Sequence, residues 1–280
     1  MLRVAVGLGA LVASLVALEL WSVTRDGDAP ADATPRVVCQ TLSCAEITSA
    51  LGGGAVIAWP SVAANPKYSL IAADAGSRAS TPSDAEAIAA LRPTLVVVAP
   101  YSRADTLQHI KALGIATLNL AEPETLDQLR HNVRALAAAV GREAEGARLL
   151  DALDQRLRKL PATAPRRVVA WVAGATAGPG TTVDVAIRAA GHSNGAALPG
   201  WNTVDQEALA ALGADILLVS RDVGETDSAL EQRLLGTYPV VAAQVARGLQ
   251  LVGVPGALLG TASHHLVTLA ELIGAAAKGP

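Results

Sequence analysis

Glu86-Ala-Ile-Ala-Ala-Leu91-Arg-Pro-Thr-Leu95-Val-Val-Val98 recurs further along the chain as Glu207-Ala-Leu-Ala-Ala-Leu212-Gly-Ala-Asp-Ile216-Leu-Leu-Val219. In each copy a short segment, apolar on one side at helical spacing, runs through a tight turn into an unbroken apolar run of strand length. A half-exposed strand alternates apolar and polar residues, so an unbroken run marks a parallel strand covered on both faces. Each copy therefore reads as an α/β unit. Upstream, Val37-Val38 leads to Ile47-Thr-Ser-Ala-Leu-Gly52, and Val168-Val169 leads to Val185-Ala-Ile-Arg-Ala-Ala-Gly191. Both are a strand, a loop and a helix stopped by glycine. Residues 115–120 and 249–254 add a late strand to each half. Chance in an Ala-rich chain can imitate one such match; an ordered series indicates duplication.

Between the halves, residues 142–160 place Ala147, Leu150, Leu153, Leu157 and Leu160 on one stripe, with Arg and Glu elsewhere and Pro161 as a stop. They predict one helix of about 28 Å at 1.5 Å per residue, a stiff connection that argues against large domain closure. The expected divisions are an N-terminal α/β lobe over 36–141, the interlobe helix over 142–160 and a C-terminal α/β lobe over 161–280. Ahead of them, Arg3 and the uncharged apolar run 4–18 suit a secretory leader, being short for a membrane span. Residues 1–24 are thus expected to be a signal peptide or N-terminal anchor, and the Pro/Ala/Asp-rich 25–35 a linker.

The chain has 280 residues and 51% hydrophobic content, enough for a substantial core. Its 22 basic and 25 acidic residues form no basic cluster, which argues against nucleic acid as a partner. With no Phe, 4 Trp and 3 Tyr, the core is built from Ala, Val and Leu, and each aromatic residue becomes a candidate for a site. No Gly-x-Ser-x-Gly elbow or His-Glu-x-x-His sequence supports an enzyme. Gly174-Ala-Thr-Ala-Gly178-Pro-Gly180 lacks the lysine of a phosphate loop and reads as a turn approaching the cleft.

The order strand, loop, helix, Glu86-x-Ile-x-x-Leu-x-Pro-x-Leu-Val, long helix, Gly180-Thr-Thr-Val-Asp, Ala189-Ala-Gly-His-Ser-Asn and Glu207-x-Leu-x-x-Leu-x-x-Asp-Ile resembles the periplasmic binding proteins for ferric siderophores, haem and cobalamin. The resemblance covers residue 36 to the C-terminus. It implies the class III fold: two Rossmann-like α/β lobes with parallel sheets, joined by a single long helix. It further implies a monomeric periplasmic or extracytoplasmic carrier without catalysis or intrinsic cofactor. Such a protein captures a bulky metal chelate or corrinoid between its lobes and passes it to the permease of an ABC importer. By motif, the acids that dock the permease are Glu86 and Glu207. Membrane association is expected only through the N-terminal segment. One departure is Cys39-Gln-Thr-Leu-Ser-Cys44, which replaces a Ser/Pro-rich turn after the first strand.

Ligands in open α/β sheets bind beyond the carboxyl ends of strands. Trp59, Tyr101 and Trp201 lie in or next to such loops and are expected to line the cleft, whereas Trp171 lies inside a strand and belongs to the core. Arg103, close after Tyr101, offers a guanidinium to a ligand carboxylate, with plain solvent exposure as the alternative. His192, after the helix stop at Ala190-Gly191, is the best histidine candidate; a helix-capping role is the competing reading. His109 and His131 fall on helix surfaces. His264 and His265 start the last helix, where neighbours point to different faces and do not share an ion. Cys39 and Cys44 read first as a disulfide in an exported protein; a soft-metal thiolate pair and two free thiols remain open. No metal site is assigned, and the competing functions are a receptor for a bare transition metal with Cys or His ligands and an exported α/β enzyme.

Overall fold

The computed structural model describes residues 35–76 and 78–278. The expected leader over 1–24 and all of the linker but its last residue lie outside them. The first lobe comprises β1 (Val37–Cys39), α1 (Leu42–Ala50), β2 (Val56–Trp59), α2 (Ala72–Ala75), β3 (Ala79–Ser80), α3 (Ala85–Ala90), β4 (Leu95–Val98), α4 (Ala104–Ala112) and β5 (Ala116–Asn119). Then come α5 (Leu126–Ala139) and α6 (Glu143–Arg158). The second lobe comprises β6 (Arg167–Val172), β7 (Ala175–Ala177), α7 (Thr182–Ala189), β8 (Ser193–Asn194), β9 (Trp201–Thr203), α8 (Gln206–Ala211), β10 (Ile216–Arg221), α9 (Asp227–Thr237), α10 (Pro239–Val245), β11 (Gln250–Pro255), α11 (Gly256–Leu259) and α12 (Leu266–Ala276). Among the described residues no helix is long and apolar enough to cross a membrane.

The duplication is visible in the strand order. The first sheet runs β3-β2-β1-β4-β5, parallel throughout. The second runs β11-β10-β6-β7-β9, with β8 beside the start of β6. Thus β1, β4 and β5 correspond to β6, β10 and β11, joined in parallel in both lobes. The expectation of parallel sheets is corrected in the second lobe, where β7 lies antiparallel to both β6 and β9. Val172 pairs with Ala175, so only Ala173 and Gly174 make the turn, both with positive φ (50° and 84°). A two-residue turn with that backbone folds a strand straight back as a hairpin and leaves no length for a crossover helix.

All of β4 and the first four residues of β10 are buried, as the unbroken apolar runs require. Side chains alternate across each strand. Val37, Cys39, Leu95 and Val97 face one core together with Val168, Ala170, Ile216 and Leu218 of the other lobe. Val38, Val96 and Val98 face a separate cluster with Ile88 and Ile110, while Val169, Trp171, Leu217 and Val219 face a third with Leu209 and Leu230. One core therefore runs from lobe to lobe through residues of α1, α5, α6, α7 and α12.

Helix α6 has 16 residues, or about 24 Å at 1.5 Å per residue, slightly shorter than the expected span. It packs against a helix on each side. A Cβ added at Gly146 would lie 2.6 Å from Ala137 Cβ, so α5 packs directly along it, and Arg130 of α5 pairs with Asp154 at 2.7 Å. Arg156 ties the other end to α12 through Glu271 at 2.6 Å and the Thr268 hydroxyl at 2.7 Å.

Candidate functional site

The carboxyl ends of the two sheets meet. The loop after β2, residues 60–71, reaches the start of α11, where a Cβ added at Gly256 would lie 3.3 Å from the Lys67 carbonyl oxygen and 3.1 Å from Ser220 Oγ. The Thr261 hydroxyl, between α11 and α12, donates across the lobes to Glu46 Oε2 at 3.0 Å. A third crossing contact runs from the Arg188 guanidinium on α7, held at 2.7 Å by the buried Asp184, to the Glu124 carbonyl at 3.1 Å. The interlobe face is thus bounded by loops at strand ends, where an open α/β sheet accepts a ligand.

Several large apolar side chains stand exposed on these loops: Val62, Tyr68 and Leu70 after β2, Tyr101 after β4 and Val223 after β10. In a chain this poor in aromatics, two tyrosines exposed on the strand-end loops of one lobe are each available to a flat ligand. Sequence reasoning missed Tyr68, which is 48% exposed and has the Lys67 ammonium 5.6 Å from its ring centroid. Its loop is ordered by Asn65, whose carbonyl accepts from the Tyr68 N–H and whose side-chain oxygen accepts from the Lys67 N–H, both at 3.0 Å. Tyr101 is even more open. Loss of some surrounding solvent, then the Glu122 carboxylate, push its phenol above the usual range, an effect that water screens because 74% of the residue remains exposed. Arg103 is also exposed, but its guanidinium is paired with Asp105 at 2.6 Å, and Arg103 holds the Asp105 carboxyl down at about 2.

The sequence profile of periplasmic binding proteins matches residues 37–247, most of the chain. The chain belongs to the periplasmic binding protein family. It is a substrate-binding protein that serves an ABC importer outside the cytoplasm, and not an enzyme. Among solved structures it is similar to the periplasmic haem-binding protein RhuT from Roseiflexus sp. RS-1 in apo form, at 26% identity and TM-score 0.69 over 88% of this chain and 100% of that one. The periplasmic haem-binding protein HutB of Vibrio cholerae has the same fold at 20% identity, TM-score 0.72, over 89% and 100% of the two chains. The periplasmic vitamin B12 binding protein BtuF of Vibrio cholerae shares it at 16% identity, TM-score 0.65, over 87% and 96%. The comparison with curated proteins gives no match.

Not every residue expected at the cleft of this periplasmic binding protein is there. Trp59 is 2% exposed and turned into the first-lobe core, beneath the Arg78 guanidinium at 4.4 Å from its ring. His192 lies at the opposite end of the second sheet: it precedes β8, which pairs with Arg167 and Val168 at the amino end of β6. There it is buried, and its Nδ1 accepts the Arg166 backbone N–H at 3.2 Å. Burial, then the Arg166 charge, depress its pKa. Trp201 is half-exposed on the edge strand β9, opposite Ala177. Trp171 is in the core, edge-on to Tyr238 at 4.8 Å between ring centroids.

His264 and His265 precede α12, so the opposite-faces reasoning does not apply; their rings lie 4.1 Å apart. Burial, then His265 and Arg156, push His264 down to about 3. Among the described residues no three His, Cys, Asp or Glu side chains gather as a metal site. Cys39 at the end of β1 and Cys44 in the first turn of α1 are bonded through sulfur, with Cα atoms 5.6 Å apart. Glu86 and Glu207 are exposed at matching first-turn positions of α3 and α8. Each helix is capped by an aspartate two residues earlier: Asp84 accepts from the Ala87 N–H at 2.8 Å and Asp205 from the Ala208 N–H at 2.7 Å. Glu46, also missed, is 1% exposed within α1; burial raises its pKa although Ser263, Thr261 and the Leu70 N–H pull it down.

Proposed function

We propose that this periplasmic binding protein carries ferric haem between its lobes, with the Tyr68 phenolate on the iron, and delivers it to an importer that docks on Glu86 and Glu207. The observation that carries the reading is Tyr68, an exposed phenol on a loop that reaches from one lobe to the other. Tyrosinate is an established axial donor to haem iron. The other candidate donors are less suited. Tyr238 is packed on Trp171, Tyr101 stands on the loop after β4 and not on the loop that reaches the other lobe, and His109 and His131 sit on the helices α4 and α5. Lys67 beside Tyr68, and Arg103 once released from Asp105, supply cations for the haem propionates. Tyr101 and Trp201 offer flat walls.

Haem leaves axial positions on its iron that a protein oxygen can take. A hexadentate ferric siderophore satisfies its iron with its own donors, and a corrinoid carries its own lower ligand. The 26% identity to a haem-binding protein points the same way. A bare-metal receptor would need a ligand cluster of a kind not found among the described residues. Titrating the purified protein in turn with ferric haem, cobalamin and a ferric hydroxamate tests the choice. Saturation by haem alone is expected, and saturation by either of the others in its place would reassign the ligand.

A further inference from the structure

We infer that Glu46 is a positioning residue whose carboxyl group ties the Tyr68 loop to the second lobe and so fixes where the phenol stands in the cleft. Its role in ligand binding rests on the haem reading above; the tie itself does not. Glu46 belongs to α1 of the first lobe, yet its Oε2 accepts from the Thr261 hydroxyl of the second, 215 residues away, at 3.0 Å. Its Oε1 faces the Leu70 N–H at 3.5 Å, a long contact two residues beyond Tyr68. On the other side of Tyr68, the Lys67 carbonyl rests against Gly256 of the second lobe. The exposed phenol is thus carried on a turn whose two flanks are both pinned, one by a backbone contact and one by this carboxyl.

A carboxyl group buried to this extent is unfavourable unless its oxygens find donors. Here they find them on two different segments. Thr261 is held in turn by Ser263, hydroxyl to hydroxyl at 3.0 Å, and both are buried. An apolar residue at position 46 would leave the Leu70 N–H without this acceptor and the Thr261 hydroxyl with Ser263 as its remaining side-chain partner, so the cross-lobe bond is lost. Glutamine keeps one acceptor oxygen and loses the other.

The test compares Glu46→Ala, Glu46→Gln and Thr261→Val in the intact protein. Two readouts are amide hydrogen exchange over residues 65–71 without ligand, and the affinity and absorbance spectrum with ferric haem. Glu46→Ala is expected to speed exchange in that segment about tenfold or more, to weaken haem binding about tenfold and to shift the spectrum away from the phenolate-ligated form. Glu46→Gln should recover most of both effects. If Glu46→Ala does not fold, Thr261→Val decides, since it keeps Glu46 and removes the cross-lobe donor together with the local bonds of Thr261 to Ser263; it should loosen the same segment and weaken haem in step. Wild-type exchange in Glu46→Ala, or in Thr261→Val where that variant decides, would overturn the tie. Faster exchange with unchanged haem affinity and spectrum would overturn the positioning role. Failure of the wild-type protein to bind haem would sink the haem reading and leave the exchange result to judge the tie.

Discussion

Arg92 and Gly213 stand at the same place in the two copies of the repeat, and both have left-handed backbone, with φ of 49° and 61°. Each directly follows the C-cap of a short helix, with two residues between it and a buried strand. The surroundings are duplicated too: Arg36 donates to the Arg92 carbonyl at 3.0 Å and the Leu91 carbonyl at 2.8 Å, and Arg167 donates to the Leu212 carbonyl at 3.3 Å. A side chain in this conformation costs roughly 1–2 kcal/mol, which glycine avoids while losing more freedom on folding. Arg92→Gly should therefore be neutral to stabilising, by up to about 1 kcal/mol, and Gly213→Arg destabilising by about 1 kcal/mol. Thermal melts of the two variants check this, with a shift of roughly 2–4 °C expected per kcal/mol in a chain of this size.

Glu86 and Glu207 are exposed and equivalent, so their charges are free to act on a partner. Reversing both to Lys should abolish ligand uptake by cells while leaving the affinity of the purified protein within about twofold, because surface acids contribute little to the fold. Uptake at the wild-type rate in the double variant would remove the docking role.

The Cys39–Cys44 bridge closes a short loop at the end of β1, a position that stiffens the edge of the cleft. Its loss through Cys39→Ala with Cys44→Ala should lower stability by about 2 kcal/mol, as expected for so small a loop. Mass spectrometry of unreduced protein under alkylating conditions should show neither cysteine modified. Two alkylated cysteines would refute the bridge.

Acid should destabilise the fold through His264. Its folded pKa of about 3 lies below the ordinary 6.5 because burial disfavours the imidazolium, so between these values the unfolded chain binds a proton that the folded one does not. Stability therefore falls as pH drops from about 6.5 toward 3, and rises again with pH across the same window. His265 and His192 are shifted in the same direction, while Glu46, raised, acts with the opposite sign above its ordinary value of 4.5. Denaturant unfolding measured from pH 7 to pH 4 should show a shallower decline in His264→Gln than in the wild type. An identical slope would contradict this account.

The architecture was legible because buried parallel strands declare themselves as unbroken apolar runs, and because Gly52, Gly191 and Pro161 stop helices where the chain must turn. The hairpin at Ala173-Gly174 was not legible, since nothing in a glycine-rich stretch states that two adjacent residues take positive φ. The place of His192 is hidden for a related reason: the helix stop at Ala190-Gly191 is legible, but the sheet end it reaches is set by the path of α7 back along the sheet. Trp59 follows a strand as a lining residue would, yet Arg78, brought in by β3, covers it. Tyr68 carries no periodic signal in its loop. Glu46 hinted at itself only as a lone acid between Ala45 and Ile47, and its partner 215 residues away is fixed by the packing of the two lobes.

Ferric haem titrated into the wild-type protein and into Tyr68→Phe, with the absorbance spectrum recorded, tests whether Tyr68 holds the iron. About one haem should bind per wild-type chain, with a phenolate-ligated ferric spectrum. Tyr68→Phe should show a changed spectrum and an affinity lower by about tenfold or more, equivalent to at least about 1.4 kcal/mol, with an unchanged melting temperature. Equal affinity and an identical spectrum in the two proteins would contradict iron ligation by Tyr68.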